Sequence, residues 1–112
     1  KVPQPKDPAA EKFSKAYWGD TEAQTISVME RIKESLESKG MSISDIVKMT
    51  AFLVGDPELD GKMDFAGFMR GYTQYFGETA KQPNLPARST VQIAGLVQEG
   101  MLVEIEVIAV RP

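Results

Sequence analysis

Hydrophobic positions fall into five runs along the chain, and their spacing differs from run to run. From Thr21 onward, apolar residues recur at Ile26, Met29, Ile32 and Leu36, the three- and four-residue rhythm of one helix face. Asp20 and Thr21 both suit a helix start, and Thr21 with Gln24 fits the capping-box spacing. Gly40 stands where a left-handed C-terminal cap is wanted, so a helix is expected over 21–39. The segment Ile46–Val54, IVKMTAFLV, is apolar almost throughout and is bounded by Gly55-Asp56-Pro57; its length and its breakers predict a buried strand. Phe65, Phe68, Met69, Tyr72, Tyr75 and Phe76 make a broad aromatic face on a second helix, about 63–76, which core packing against a sheet would explain. Two strands, about 87–96 and 102–110, close the chain around a turn at Gln98-Glu99-Gly100, and they are expected to pair as a hairpin. Residues 1–19, with Pro3, Pro5 and Pro8, are expected to be an extended lead-in. The order helix, strand, helix, strand, strand is that of an α+β fold with the helices on one face of a sheet.

At 112 residues the chain holds one domain. A chain this short buries a modest share of its surface, to which assembly would add. Composition narrows the chemistry sharply. There is no Cys, hence no disulfide, thiolate or Cys-ligated metal, and no His, which removes the usual base near neutral pH and the commonest metal ligand. Catalysis must use Arg, carboxylates, hydroxyls, backbone groups or water. The net charge of −3, with acids and bases interspersed, offers no basic track for nucleic acid. No apolar run approaches the roughly 20 residues that span a bilayer. A cytoplasmic location is the expectation. Because the chain starts at Lys1 rather than Met, a removed export signal and a periplasmic location are the alternative.

Three places invite a functional reading. In Pro86-Ala87-Arg88-Ser89-Thr90 a proline fixes the chain just before a strand from which a guanidinium emerges. Its planar fork suits a carboxylate, although an Arg at a strand end also serves to solvate the edge or to pair with an acid. In Leu102–Val107, alternation puts Glu104 and Glu106 on one sheet face and Val103, Ile105 and Val107 on the other. Such a stripe can be merely solvent-facing, or a carboxylate beside an Arg can orient water or act as its base. If the last two strands pair, Arg88 and Glu104 could share a site. The acidic loop Asp56–Lys62 with Asp64 lacks the alternating oxygen ligands and closing Glu of a calcium loop, and no metal site is expected.

Together these segments resemble the RidA/YjgF family. The residues that carry the resemblance are Asp45–Val54, then Leu85-Pro86-Ala87-Arg88-Ser89, then Val103–Val110, with both helices in the expected places. It covers essentially the whole chain. It implies a chorismate-mutase-like α+β fold, a mixed sheet with two helices packed on one face, assembled as a homotrimer with clefts between subunits. It also implies hydrolytic deamination of reactive 2-imino and enamine acids, released by pyridoxal-phosphate enzymes, to 2-keto acids and ammonia. No cofactor, nucleic acid or membrane takes part. In that reading Arg88 holds the substrate carboxylate and Glu104 serves the water, as the catalytic pair. Thr90, where many relatives have Cys, and Met69, where some have Asn, join Arg88 in binding substrate. Such a reaction needs no His, Cys or metal, which agrees with the composition. A non-catalytic trimer that binds small carboxylates in the same cleft is the alternative. An RNA-cleaving role, also attached to family members, fits poorly with an acidic chain without His. Relatives have two further N-terminal strands, so residues 1–112 are expected to form a single domain of this kind lacking that hairpin, with more chain preceding Lys1 in the whole protein.

Overall fold

The computed structural model describes residues 1–112. Three α-helices, α1 (Lys15–Trp18), α2 (Thr21–Glu37) and α3 (Phe65–Tyr72), accompany a three-stranded sheet of β1 (Ile46–Val54), β2 (Ala87–Ile93) and β3 (Val103–Ala109). The two longer helices pack against each other and cover one sheet face. Fourteen buried residues from α2, β1, β3, α3 and their flanks make one core, with Val28, Met29, Met49, Ala51, Leu53, Phe68, Val103 and Ile105 all inaccessible to solvent.

The strand order is β2-β1-β3, with β1 parallel to β2 and antiparallel to β3. The expected hairpin between the last two strands does not form. The most apolar strand takes the centre and is paired along both edges. The more polar β2 and β3 go outside, where one side of each needs no partner strand. Nine residues, 94–102, carry the chain from one edge to the other. Register then sets which side chains share a face. Met49 lies opposite Arg88 on one side and Val107 on the other, and Ala51 lies opposite Thr90 and Ile105; these rows face the helices. Thr50 lies between Ser89 and Glu106, and Phe52 between Val91 and Glu104, on the face the helices leave open.

Local chemistry accounts for the helix ends, with corrections to the sequence reading. The cap of α2 is Asp20 rather than Thr21: its carboxylate accepts from Ala23 N at 2.9 Å, completing a donor left over at the helix start. Gln24 does not reach back to a cap. It is fully buried; Nε2 donates to Gly19 O and Gly100 O, each at 3.0 Å, and Oε1 accepts from Leu102 N at 2.7 Å. One amide thus ties the start of α2 to the loop entering β3. Past the end of α2, Gly40 has φ +74°, the left-handed turn expected there. The helix α3 is shorter than expected: Asp64 caps it through Gly67 N at 2.9 Å, and Phe76 is reached by a turn beyond Tyr72.

The lead-in is not wholly extended, because Ser14 caps the single-turn α1. That turn buries Trp18, 3% exposed, whose Nε1 donates to Glu99 O at 2.8 Å. At the outer edge of β3, Lys1 and Ile105 exchange both backbone hydrogen bonds. No helix is long and apolar enough to cross a membrane.

At Gly71, α3 lies close against Thr25 of α2. A Cβ placed there would stand 2.8 Å from both Cβ and Cγ2 of Thr25, so something must shift. We predict that Gly71→Ala lowers stability by about 1–3 kcal/mol, the usual range for overpacking. Chemical denaturation with an unchanged slope measures it, and a loss below a few tenths would show that the helices part freely.

Candidate functional site

Arg88 emerges on the helix-facing side of β2, just after the buried Pro86, whose missing N–H is tolerated at a strand's start. On that side it meets α3. The guanidinium carbon lies 4.5 Å from the ring centre of Tyr72, 5.4 Å from Phe68 and 5.8 Å from Phe65. Nη1 donates to Met69 Sδ at 3.3 Å. Positions 65, 68, 69 and 72 lie on one face of a helix, which is why one strand residue can touch all four. The rings form a ladder: Phe68 and Tyr72 are 5.7 Å apart and Tyr72 and Phe76 are 4.8 Å apart, both stacked.

The charge therefore lies over aromatic faces, which attract a cation, and no acid neutralises it. The ion pairs of the molecule are Lys15 with Asp56 and Glu58, and Arg70 with Glu22. Burial raises the Tyr72 hydroxyl above its ordinary pKa, the Arg88 charge pulling the other way, so this neighbour is a neutral phenol near pH 7. Thr90, two residues along β2 on the same face, has a hydroxyl shielded from solvent and without a hydrogen-bond partner. The structure thus gathers Arg88 and Met69 in contact, with Thr90 alongside.

Glu104 is elsewhere. It lies opposite Phe52 on the open face, while Arg88 lies opposite Met49 on the helix face. Three residues along the strand and two strand spacings separate them, roughly 10 Å in each direction, with the sheet between. Glu104 is half-buried, Glu106 is exposed, and neither forms an ion pair. Within one chain Arg88 and Glu104 do not share a site.

The aromatic spacing of α3 predicts core packing alone; that the same rings also lie under Arg88 follows only from the placement of β2 beside β1. The acidic loop is structural: Asp56, its side chain 4% exposed, accepts from Lys15 Nζ at 2.9 Å and from Glu58 N at 2.9 Å. No cluster of three or more acidic side chains could hold a metal ion.

A family model described as Endoribonuclease L-PSP matches residues 5–111. The chain belongs to the RidA/YjgF family. It is 36% identical over 104 residues to a RutC family protein of Pyrococcus horikoshii, an alignment covering 93% of this chain and 73% of that one. It is 37% identical over 92 residues to the 2-iminobutanoate/2-iminopropanoate deaminase of Salmonella typhimurium, covering 82% of this chain and 65% of that one. The chain spans about two thirds of the length of the curated relatives it matches. Among solved structures, Escherichia coli TdcF with bound serine superposes with a TM-score of 0.72 at 32% identity, covering 100% of this chain and 78% of that one. The Escherichia coli YjgF gene product gives 0.72 at 31% identity with the same coverage. The mixed sheet with two helices on one face is thus the RidA/YjgF fold.

The Lys15–Asp56 tie carries a pH signature. For Asp56, burial would raise the pKa, but the bonds from Lys15 and Glu58 N outweigh it and hold the carboxyl below its ordinary range. For Lys15, burial works downward, and the bonds to Glu58 and Asp56 prevail, raising it. A depressed acid stabilises the fold above its unfolded value, near 3.9, and loses that contribution as pH falls through the folded value. A raised base contributes below about 10.4 and loses it as pH rises. With Lys15 partly exposed, we predict that Asp56→Asn costs about 1 kcal/mol near pH 7. Thermal melts from pH 3 to 7 should show the gap between variant and parent closing below about pH 4. A gap independent of pH would show that charge is not its origin.

Proposed function

We propose that this protein hydrolyses reactive 2-imino and enamine acids to 2-keto acids and ammonia. One observation carries the reading: a guanidinium seated on aromatic rings, with its charge left without a carboxylate partner, in a family that includes a protein named for this deamination. A planar donor fork that lies over rings, with Nη1 on Met69 Sδ, has further N–H groups for a bidentate carboxylate.

In this reading Arg88 binds the carboxylate next to the imine carbon. Water adds to the carbon of the protonated imine and gives up a proton to the Glu104 carboxylate, while the C=N electron pair passes to nitrogen. The amine of the carbinolamine then takes a proton and leaves as ammonia as the hydroxyl loses its own, giving the 2-keto acid. The protonated imine is already electrophilic, so positioning and a properly placed proton acceptor supply much of what is needed. Glu104 faces away from Arg88 in its own chain, so it serves the water from an adjoining copy. That requires clefts between subunits, in keeping with the expected trimer. The open sheet face supports such assembly, since Val91 and Ile108 are 41% and 56% exposed there. The separation of Arg88 from Glu104 also favours a second reading, a trimer that binds small carboxylates without turnover.

A coupled assay distinguishes them. A serine or threonine dehydratase supplies the imine, and keto-acid release is followed above the spontaneous rate. Arg88→Ala should lower kcat/KM about 100-fold or more, the loss expected for one charge-assisted bidentate contact. Glu104→Gln should keep ligand binding and lower kcat by about 100-fold if the carboxylate acts as base. Turnover by the parent protein that both variants leave untouched would exclude these roles, and no acceleration by the parent would favour the binding reading.

The assembly is tested separately. We predict a trimer in sedimentation equilibrium at micromolar concentration, with Arg88→Ala unchanged because Arg88 is not core. A monomeric protein that still turned over imine would exclude the shared cleft.

A further inference from the structure

Four side chains touch the Arg88 guanidinium, and two of them are open to a ligand. Phe68 is fully buried and Tyr72 is 7% exposed, so both belong to the core. Phe65 is 41% exposed and Met69 is half-buried. A molecule held by its carboxylate on the Arg88 fork therefore lays its remaining atoms against a phenyl ring and a thioether. Neither presents an N–H or O–H group. The one weak acceptor, Met69 Sδ, already receives Arg88 Nη1. Against these two residues a polar side chain on the ligand would give up water and find no donor or acceptor in exchange, the unpartnered Thr90 hydroxyl lying two residues along β2 from Arg88. An apolar one would gain about fourfold in affinity for each methylene it buried. Methionine also adapts to apolar groups of varied outline, because it is unbranched and its sulfur is polarisable.

We propose that Met69, with Phe65, sets the substrate class of this site: 2-imino acids with long apolar side chains, such as those formed by oxidising leucine or phenylalanine, in preference to 2-iminopropanoate. The assignment rests on the deaminase reading above. Met69 touches the substrate's side chain and not the reacting atoms, so it is a specificity residue.

The test uses an L-amino-acid oxidase with catalase to generate imines from leucine, phenylalanine and alanine, following keto-acid release above the spontaneous rate. The parent protein should show kcat/KM about tenfold higher or more for the leucine- and phenylalanine-derived imines than for the alanine-derived one, since three or more extra carbons are buried incompletely against an open wall. Met69→Leu should retain that ratio, and Met69→Asn should bring it to within about twofold of unity, chiefly through KM for the apolar imines. Far-UV dichroism and Tm establish that each variant is folded. Phe65→Ser, at the exposed end of the same wall, should also lower the ratio and serves if Met69→Asn does not fold. Equal or better acceleration of the alanine-derived imine overturns the specificity while the deaminase reading stands. An unchanged ratio in folded Met69→Asn and Phe65→Ser removes these residues from that role. Failure to accelerate any of the imines, together with the dehydratase product, overturns the deaminase reading and this assignment with it.

Discussion

β1 is apolar along most of its length, and it is paired on both edges with Met49, Ala51 and Leu53 buried on its helix-facing side. That placement decides the chemistry of the rest. With β1 central, β2 and β3 become edges, and the pleat sorts their polar residues onto opposite faces by register alone. Arg88 shares a row with Met49 and so points at α3; Glu104 shares a row with Phe52 and so points away. Shifting either strand by one residue would reverse its face and bury a carboxylate under the helices or expel the guanidinium from its rings. The costs of such a slip, in a core already filled by Met49, Ala51, Val103 and Ile105, hold the register.

The second constraint is how a charge is kept close to a core without an acid beside it. A buried ion pair would satisfy Arg88 and consume the donors that the proposed carboxylate ligand needs. The face of Tyr72 at 4.5 Å, with Phe68 and Phe65 behind it, offers attraction of about 1 kcal/mol in place of a full ion pair. Apart from the Nη1 contact to Met69 Sδ, it leaves the guanidinium N–H groups without an acid partner. The rings have two duties at once, since the Phe68–Tyr72–Phe76 ladder is also packed into the core that joins α2, α3 and the sheet. The charge thus rests on rings that are held by the core, which suits the proposed positioning role.

Much of this was legible in the residue order. The strand Ile46–Val54 is found with the boundaries its pattern and breakers suggest, and the helix from Thr21 and the turn at Gly40 are where spacing and cap chemistry put them. What was not legible is mostly non-local. The pairing of β3 with β1 rather than β2 depends on a competition between strands for the central place, which a preference for neighbours in sequence does not capture. Without that order, Arg88 and Glu104 look like partners. Gln24 illustrates the same limit at the scale of one side chain: its spacing from Thr21 suits a capping box, yet its three partners include two backbone groups more than 70 residues away, at Gly100 and Leu102. Trp18 was likewise hidden, because nothing local says that a Pro-rich lead-in will turn once and bury an indole against Glu99.

The division of labour on α3 follows from these two constraints. Its contact residues with Arg88 are spaced so that Phe68 and Tyr72 face inward and Phe65 and Met69 lie toward the rim. A substitution at 68 or 72 changes the core, the position of the charge and the ligand surface together, so its effect on binding cannot be separated from its effect on folding. Positions 65 and 69 touch the guanidinium while leaving the core largely intact. On the proposed role of Arg88 as the carboxylate anchor, few places remain where a ligand's side chain can be chosen independently of stability. Where α3 meets Arg88, those places are the two rim positions, and in this chain both are apolar.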